Sequence, residues 1–544
     1  MSTKVEIGKK RTKRRSKAFA QAVLGRPSGV IQPRVQAVGP ERFAIVSVDC
    51  AKDRSKWIMC DFYGKVLVNP TPVEHRSSDL KAMVLLIKQT MDAHGVKDLI
   101  CCVEMTGIYH QIVSRTLRSA GFETRLVHPF ASNHYRMAES GDIKTDDKDL
   151  VAIHRASVNG FGLIEHEWNE HYQSLKLLTR HRRDLVKKRA KLQSQIRVRL
   201  ESCLPGYAGL FPGTDLWEHE IGQMVLQFIA DHGGTSRALL DAGIPGLTKW
   251  LKEQQCSFQA KSVERIVAWA SNAATGNRLH PLITRLWQQL LIDWRQKSQQ
   301  ILEVERETAG LLAQTPWILL LSHPGINVVS AAEVAGETGP IEHYASAKAV
   351  TGRAGLFPSR YQSDGVDRGG KLSRFRNGKM RGAWMLIADN LIKCNEYWRG
   401  KYQFWKEQGH DPRDIRCRVA NRVTRTVFQI VAGQKLFQHP SRLDRGYVLS
   451  KLLDFHRKHQ TPMDVVLADL KAATGQLPKS AYADEAKPLN DICSKQVRSR
   501  KKEPQQLGSL LVQVLAKLGV TNQPPEVNST SLEAPVAESG ESDR

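Results

Sequence analysis

The sequence predicts an α/β domain joined by long helices to a second, mostly helical unit. Three observations lead there. Apolar, strand-like runs alternate with helical ones across residues 42–165. Two later stretches, 166–204 and 281–313, carry leucine or isoleucine stripes at helical spacing. Acidic residues end or closely follow two of the strand-like runs.

Residues 1–41 read as a disordered basic arm, with cations from Lys9 to Lys17 followed by Gly, Pro and Gln. The α/β segment then opens with Phe43 to Val48, a buried-strand run. Lys56 to Phe62 alternates, and Gly64 turns the chain into Lys65 to Val68. These three runs form an antiparallel meander. Leu80 to Met91 has helical spacing, Asp98 to Val103 is a fourth strand, Tyr109 to Ala120 a helix, and Thr124 to Val127 a fifth strand. This order is that of an RNase H-like fold.

A helical connector is expected over 166–315. Leu178, Leu185 and Leu192 recur every seventh residue, which implies a partner helix in the same chain or in another. Arg180, Arg182, Arg183, Lys187, Lys188, Arg189 and Lys191 lie off that stripe, where they are available to nucleic acid. Residues 205–278 form a helical insertion with breaks at Gly233-Gly234 and Pro245-Gly246. Residues 316–435 are a further unit. Its His323-Pro324-Gly325-Ile326 turn before an apolar helix resembles a helix-hairpin-helix element, and a basic, glycine-punctuated loop spans Arg368 to Arg381. Residues 436–520 read as a helical extension and 521–544 as an acidic, disordered tail.

Lys and Arg number 80 against 55 Asp and Glu, a formal charge of +25, which favours a polyanionic partner. Nine scattered cysteines form neither a disulfide framework nor a zinc motif and read as cytosolic usage. No apolar run is long enough to span a membrane.

The acids carry the chemistry. Asp49 and Glu104 fall where the first and fourth strands end, and Asp146 and Asp149 lie one helical turn apart on a shared face. Gathered carboxylates repel unless divalent cations lie between them, and paired Mg²⁺ ions are the usual device for cutting and joining phosphodiesters. On the residues alone the readings are a DNA-strand enzyme, a metal-dependent junction endonuclease that uses water, and a non-catalytic nucleic-acid scaffold.

Val48-Asp49-Cys50-Ala51-Lys52, Glu104-Met105-Thr106-Gly107-Ile108-Tyr109 and Lys144 to Asp149 resemble the three blocks of DEDD transposases of the IS-one-ten type. His323 to Ile326, Ala354 to Pro358 and Gln362-Ser363-Asp364-Gly365 resemble the second domain of the same insertion-sequence family. The resemblance implies a RuvC-like domain, a coiled-coil connector and a transposase domain with a catalytic serine. It implies a site-specific recombinase guided by a bridge RNA that pairs with donor and target DNA. Asp49, Glu104, Asp146 and Asp149 would hold Mg²⁺, with no further cofactor, and Ser363 would be the nucleophile. Asp364 stands between Ser363 and Gly365 where the family has Ser followed by Gly, which leaves Ser359 and Ser373 as neighbouring candidates. Homodimers or homotetramers and a bacterial or archaeal, nucleoid-associated location are implied as well.

Overall fold

The computed structural model describes residues 31–478, apart from 142, 165–167, 212–215, 217–219, 275, 364–365, 374–375 and 438–444. The chain divides into two compact units between residues 167 and 168.

The first unit begins with α1 (Gln32–Val38), and the sheet follows as β1 (Phe43–Cys50), β2 (Arg54–Asp61) and β3 (Val66–Glu74). Next come α2 (Ser77–His94), β4 (Asp98–Glu104), α3 (His110–Ser119) and β5 (Thr124–Val127). Helices α4 (Pro129–Ser140) and α5 (Asp146–Val158) precede a short β6 (Leu163–Ile164). The strand order is β3-β2-β1-β4-β5-β6. β1 to β3 form the antiparallel meander, and β1, β4 and β5 run parallel. This mixed sheet is compatible with an RNase H-like α/β domain.

Alternation along β1 sets the two faces of the sheet. Ala44, Val46 and Val48 pack with Leu80, Met83, Ile87, Val113 and Leu117 of α2 and α3. Phe43 and Ile45 pack on the opposite side with Ala131 of α4 and with Ile153 and Ala156 of α5.

Residues 31–41, read with the arm from the sequence, are ordered against this second face. Ile31 and Val35, one helical turn apart, are buried beside Phe43. Arg34 pairs with Asp98 and Glu123. The polar, Pro- and Gln-rich composition conceals a two-residue apolar face. The cationic run from Lys9 to Lys17 and the acidic tail at 521–544 lie outside the described residues.

In the second unit α6 (Glu170–Cys203) packs against α10 (His280–Ala313). Between them lie α7 (Glu220–Asp231), α8 (Arg237–Glu253) and α9 (Ala260–Asn272). Tyr172 and Leu175 at the start of α6 share a core with Ala309 and Leu312 at the end of α10. Ile196 and Leu200 at the end of α6 share another with Ile283 and Trp287 at the start of α10. The pair is therefore antiparallel, and the apolar stripe of α6 meets a helix of its own chain.

Three cations expected to face nucleic acid point inward instead. Arg180 donates to both carboxylate oxygens of Glu337, Arg182 to Glu305 and Arg183 to Glu333. Periodicity places a cation beside an apolar stripe but does not show that acids face it from another helix.

A 3-10 segment (Pro316–Ser322) leads into α11 (Val328–Thr338) and α12 (Ala347–Ala354). β7 (Pro358–Ser363) and β8 (Val366–Leu372) follow, then α13 (Gly378–Cys394), α14 (Glu396–Glu407) and α15 (Pro412–Ala432). α16 (Arg445–Lys458) and α17 (Met463–Gln476) close the described chain. β7 and β8 make an antiparallel hairpin where the sequence reads as a loop. Glycines and cations depress strand propensity there. Gly370 faces Ser359 across the hairpin, where an added Cβ would meet the Ser359 hydroxyl and require it to turn away.

Candidate functional site

Parallel pairing of β1 with β4 sets Val48 opposite Val103, so Asp49 and Glu104 stand next in register at the carboxyl ends of adjacent strands. Side chains alternate along a strand, and both acids continue the face that Ile45 and Cys102 present to α5. Helix α5 lays Ile153 and Ala156 on that face. Asp149 lies four residues before Ile153 and Asp146 seven before, so both sit over the same end of the sheet. Thr145 caps α5, its Oγ1 accepting from the Lys148 amide at 3.4 Å. The cap starts the helix where Asp146 and Asp149 fall in its first turn, whose dipole favours negative charge.

Each acid has an identifiable environment. Glu104 accepts from Ser132 Oγ at Oε1 and from Thr106 Oγ1 at Oε2, at 3.2 Å for the latter. Asp149 Oδ1 lies 3.1 Å from Arg136 Nε, and its Oδ2 lies 3.8 Å from Lys144 Nζ. Asp147 turns aside to Lys56 at 2.6 Å. Burial pushes the Asp49 carboxyl from 3.8 up to about 6, helped by the charges of Glu104, Asp149 and Asp146 and opposed by Lys144. Burial also raises Asp149, against the pull of Lys144 and Arg136.

The four acids thus feel one another's charge at one end of one sheet face. Among the described residues, however, no group of three or more His, Cys, Asp or Glu stands close enough to hold a metal ion. Like charges in partly buried surroundings repel, and two cationic side chains already neutralise Asp149. The donor set consists of carboxylate oxygens, which suits a hard divalent ion such as Mg²⁺ or Mn²⁺.

Ser363, in the second unit, is the exposed last residue of β7 and pairs with Val366. Asp364 and Gly365 lie outside the described residues. Of its neighbours, Ser359 lies within β7 facing Gly370, and Ser373 is buried. Arg381, counted with the basic loop, donates instead to the carbonyls of Ala354, Gly355 and Ser373 and so ties the hairpin to α12.

The His323-Pro324-Gly325 turn is enclosed as well. Lys451 Nζ donates to the carbonyls of Leu321, His323 and Ile326. Asn327 and Ser330 cap α11 reciprocally. The amides of Asn327 and Ser330 are therefore engaged within the chain.

Sequence reading missed Ser132, Thr106 and Arg136. Thr106 falls inside the Glu104 motif and was open to notice. Ser132 and Arg136 sit on α4, whose position over the carboxylates is a tertiary fact.

Two family models match the chain. One, for the DEDD domain of IS110-type transposases, covers residues 46–205. The other, described as "Transposase IS116/IS110/IS902 family", covers residues 318–403. The transposase for insertion sequence element IS1328 of Yersinia enterocolitica is 25% identical over 165 residues, 30% of this chain and 49% of that protein. The insertion element IS116 uncharacterized 44.8 kDa protein of Streptomyces clavuligerus is 23% identical over 320 residues, 58% of this chain and 75% of that one. The chain therefore spans about half the length of the first relative and three quarters of the second.

Proposed function

We propose that this chain, related through both matched regions to transposases of the IS116/IS110/IS902 family, is an insertion-sequence transposase acting as a site-specific DNA recombinase. One observation carries the reading: adjacent parallel strands bear Asp49 and Glu104 at their carboxyl ends, beneath a helix whose first turn bears Asp146 and Asp149.

These four carboxylates are the residues that would hold Mg²⁺. When bound, the ion supplies Lewis-acid polarisation of the scissile phosphate. Ser132 and Thr106 hold both oxygens of Glu104 and so fix its orientation. Ser363 is the nucleophile. Its Oγ loses its proton and bonds to phosphorus as the P–O bond to the strand breaks and the departing oxygen takes up a proton; attack on phosphorus by the hydroxyl of a second strand end then breaks the Oγ–P bond and returns the proton to Ser363. The covalent phosphoserine conserves bond energy, so strands are exchanged without an outside energy source. Its exposure on a hairpin supports Ser363 over the buried Ser373.

A formal charge of +25 suits simultaneous engagement of DNA and an element-encoded guide RNA. Sequence choice then rests with the RNA pairing. Assembly as a homodimer or homotetramer completes the reading. Among the described residues no helix is long and apolar enough to cross a membrane.

The test is strand cleavage on DNA carrying the element's ends. Ser363→Ala and Asp49→Ala should each lower the cleavage rate by about 10³-fold or more while DNA binding persists. Cleavage surviving in Ser363→Ala would transfer the proposal to a junction endonuclease using water. Cleavage surviving in Asp49→Ala would remove the carboxylate centre altogether.

A further inference from the structure

Arg136 has a role that four metal-holding carboxylates do not explain. Its side chain is 11% exposed, and its Nε lies 3.1 Å from Asp149 Oδ1. Nη2 donates to Asn133 Oδ1 at 2.5 Å and Nη1 to the Ile143 carbonyl at 3.4 Å. One guanidinium therefore ties α4, the connection after it and the first turn of α5. Lys144, on that connection, adds a second cation 3.8 Å from Asp149 Oδ2. The two resident cations offset the charge of Asp149 before any metal arrives, and a divalent ion competes with the closer one for that carboxylate.

A guanidinium leaving a carboxylate needs another oxyanion. Phosphate is the natural host, because the planar fork matches it and Arg is more weakly hydrated than an ammonium group. The two neutral partners of Arg136, Asn133 and Ile143, do not compete for its charge.

We infer that Arg136 is a positioning residue that serves as the internal counter-ion of Asp149, releasing it to a divalent cation when a nucleic-acid phosphodiester takes over the guanidinium. The inference rests on the proposed metal-holding role of the carboxylates. It makes the two binding events mutually favourable, because each removes what opposes the other. Without nucleic acid the chain keeps its metal site self-neutralised.

The experiment is Mn²⁺ titration of the full chain, followed through the paramagnetic resonance signal of the free ion, with and without a short DNA duplex of arbitrary sequence. The duplex should tighten Mn²⁺ binding by the wild-type chain about tenfold. Arg136→Gln should bind Mn²⁺ about tenfold more tightly without DNA and gain little when DNA is added. Lys148→Gln removes a cation of the same turn that is not paired with Asp149. It should stay within about twofold of wild type, which separates release of Asp149 from a general change in charge. Should Arg136→Gln fail to give a native melting curve, Arg136→Lys is read instead. It keeps the charge, loses the fork and should bind Mn²⁺ severalfold more tightly than wild type.

Wild-type affinity in the folded Arg136 variant, or an equal gain in Lys148→Gln, overturns the inference and leaves the carboxylate centre standing. Absence of Mn²⁺ binding in every variant, with and without duplex, overturns the carboxylate reading and this inference with it.

Discussion

Asp49 concentrates the electrostatics of the first unit in one titration. Its carboxyl rises from 3.8 to about 6, chiefly through burial and then through Glu104, Asp149 and Asp146. An acid whose folded-state value exceeds its unfolded value is bound to its proton more tightly in the native chain. Its ionisation therefore opposes folding, negligibly below the unfolded value, increasingly as pH climbs toward about 6, and by a constant amount above it. In chelator-treated protein, Asp49→Asn should stabilise the fold at pH 8 by about 1–2 kcal/mol after allowance for solvent screening. The gain should vanish near pH 4. Thermal melts at the two pH values measure it, and an equal gain at both would assign the effect to packing. The acid itself was legible in the sequence, because it closes an apolar run whose period fixes which face it joins. Its shift was not, because its burial and the crowding by Glu104, Asp149 and Asp146 depend on how β4 and α5 approach it.

Helices show the same division. The stripe of Leu178, Leu185 and Leu192 announces that α6 has a partner, yet one stripe fits a helix of the same chain or of another. The cores at the two ends of α6 and α10 decide for the same chain. Arg180, Arg182 and Arg183 looked like a nucleic-acid face because the acids that receive them sit elsewhere, Glu333 and Glu337 within an apolar helix and Glu305 on α10. Close approach of α11 makes these pairs possible. At Gly336 an added Cβ would lie 2.9 Å from the backbone of Leu175 and Lys176. The β7–β8 hairpin escaped notice for a related reason, since Gly370 suits the close approach of Ser359 and its gain there appears only across strands. Glu337 is 2% exposed, so removing its partner leaves a buried charge uncompensated. Arg180→Ala should accordingly cost about 2–4 kcal/mol of stability, the Arg itself being a third exposed. It should leave the salt dependence of DNA binding unchanged, because an arginine held by Glu337 releases no counter-ions from phosphate. A shallower salt slope in that variant would return Arg180 to the nucleic-acid surface.

At the scale of the whole molecule, residues 445–477 of the expected helical extension belong to the core of the second unit, while 479–520 lie outside the described residues. Short amphipathic helices were legible there, but amphipathicity does not say what a helix covers. Val448, Leu449 and Leu452 of α16 and Leu470 of α17 share a cluster with Trp317 to Leu321. Lys451 Nζ donates to three carbonyls around the His323-Pro324-Gly325 turn, Leu321 O at 2.6 Å, His323 O at 3.0 Å and Ile326 O at 3.1 Å. His459 Nε2 lies 2.6 Å from Glu305 Oε2, and Arg306 donates to the His459 carbonyl. Glu305 also holds Arg182 of α6, so α17's predecessor anchors both long helices at one carboxylate. A chain ended after residue 437 would uncover fully buried leucines and strand Glu305, Arg306 and the carbonyls that accept from Lys451. Each fully buried leucine lost contributes roughly 2–5 kcal/mol, which several such losses raise beyond the usual 5–15 kcal/mol stability of a domain. The second unit of that chain should lose its cooperative melt, and limited proteolysis should cut freely within 316–437. The first unit, whose cores among the described residues contain none beyond 167, should still yield a protected fragment covering β1 to α5. Protection of both regions would show that α16 and α17 lie on a core already complete without them.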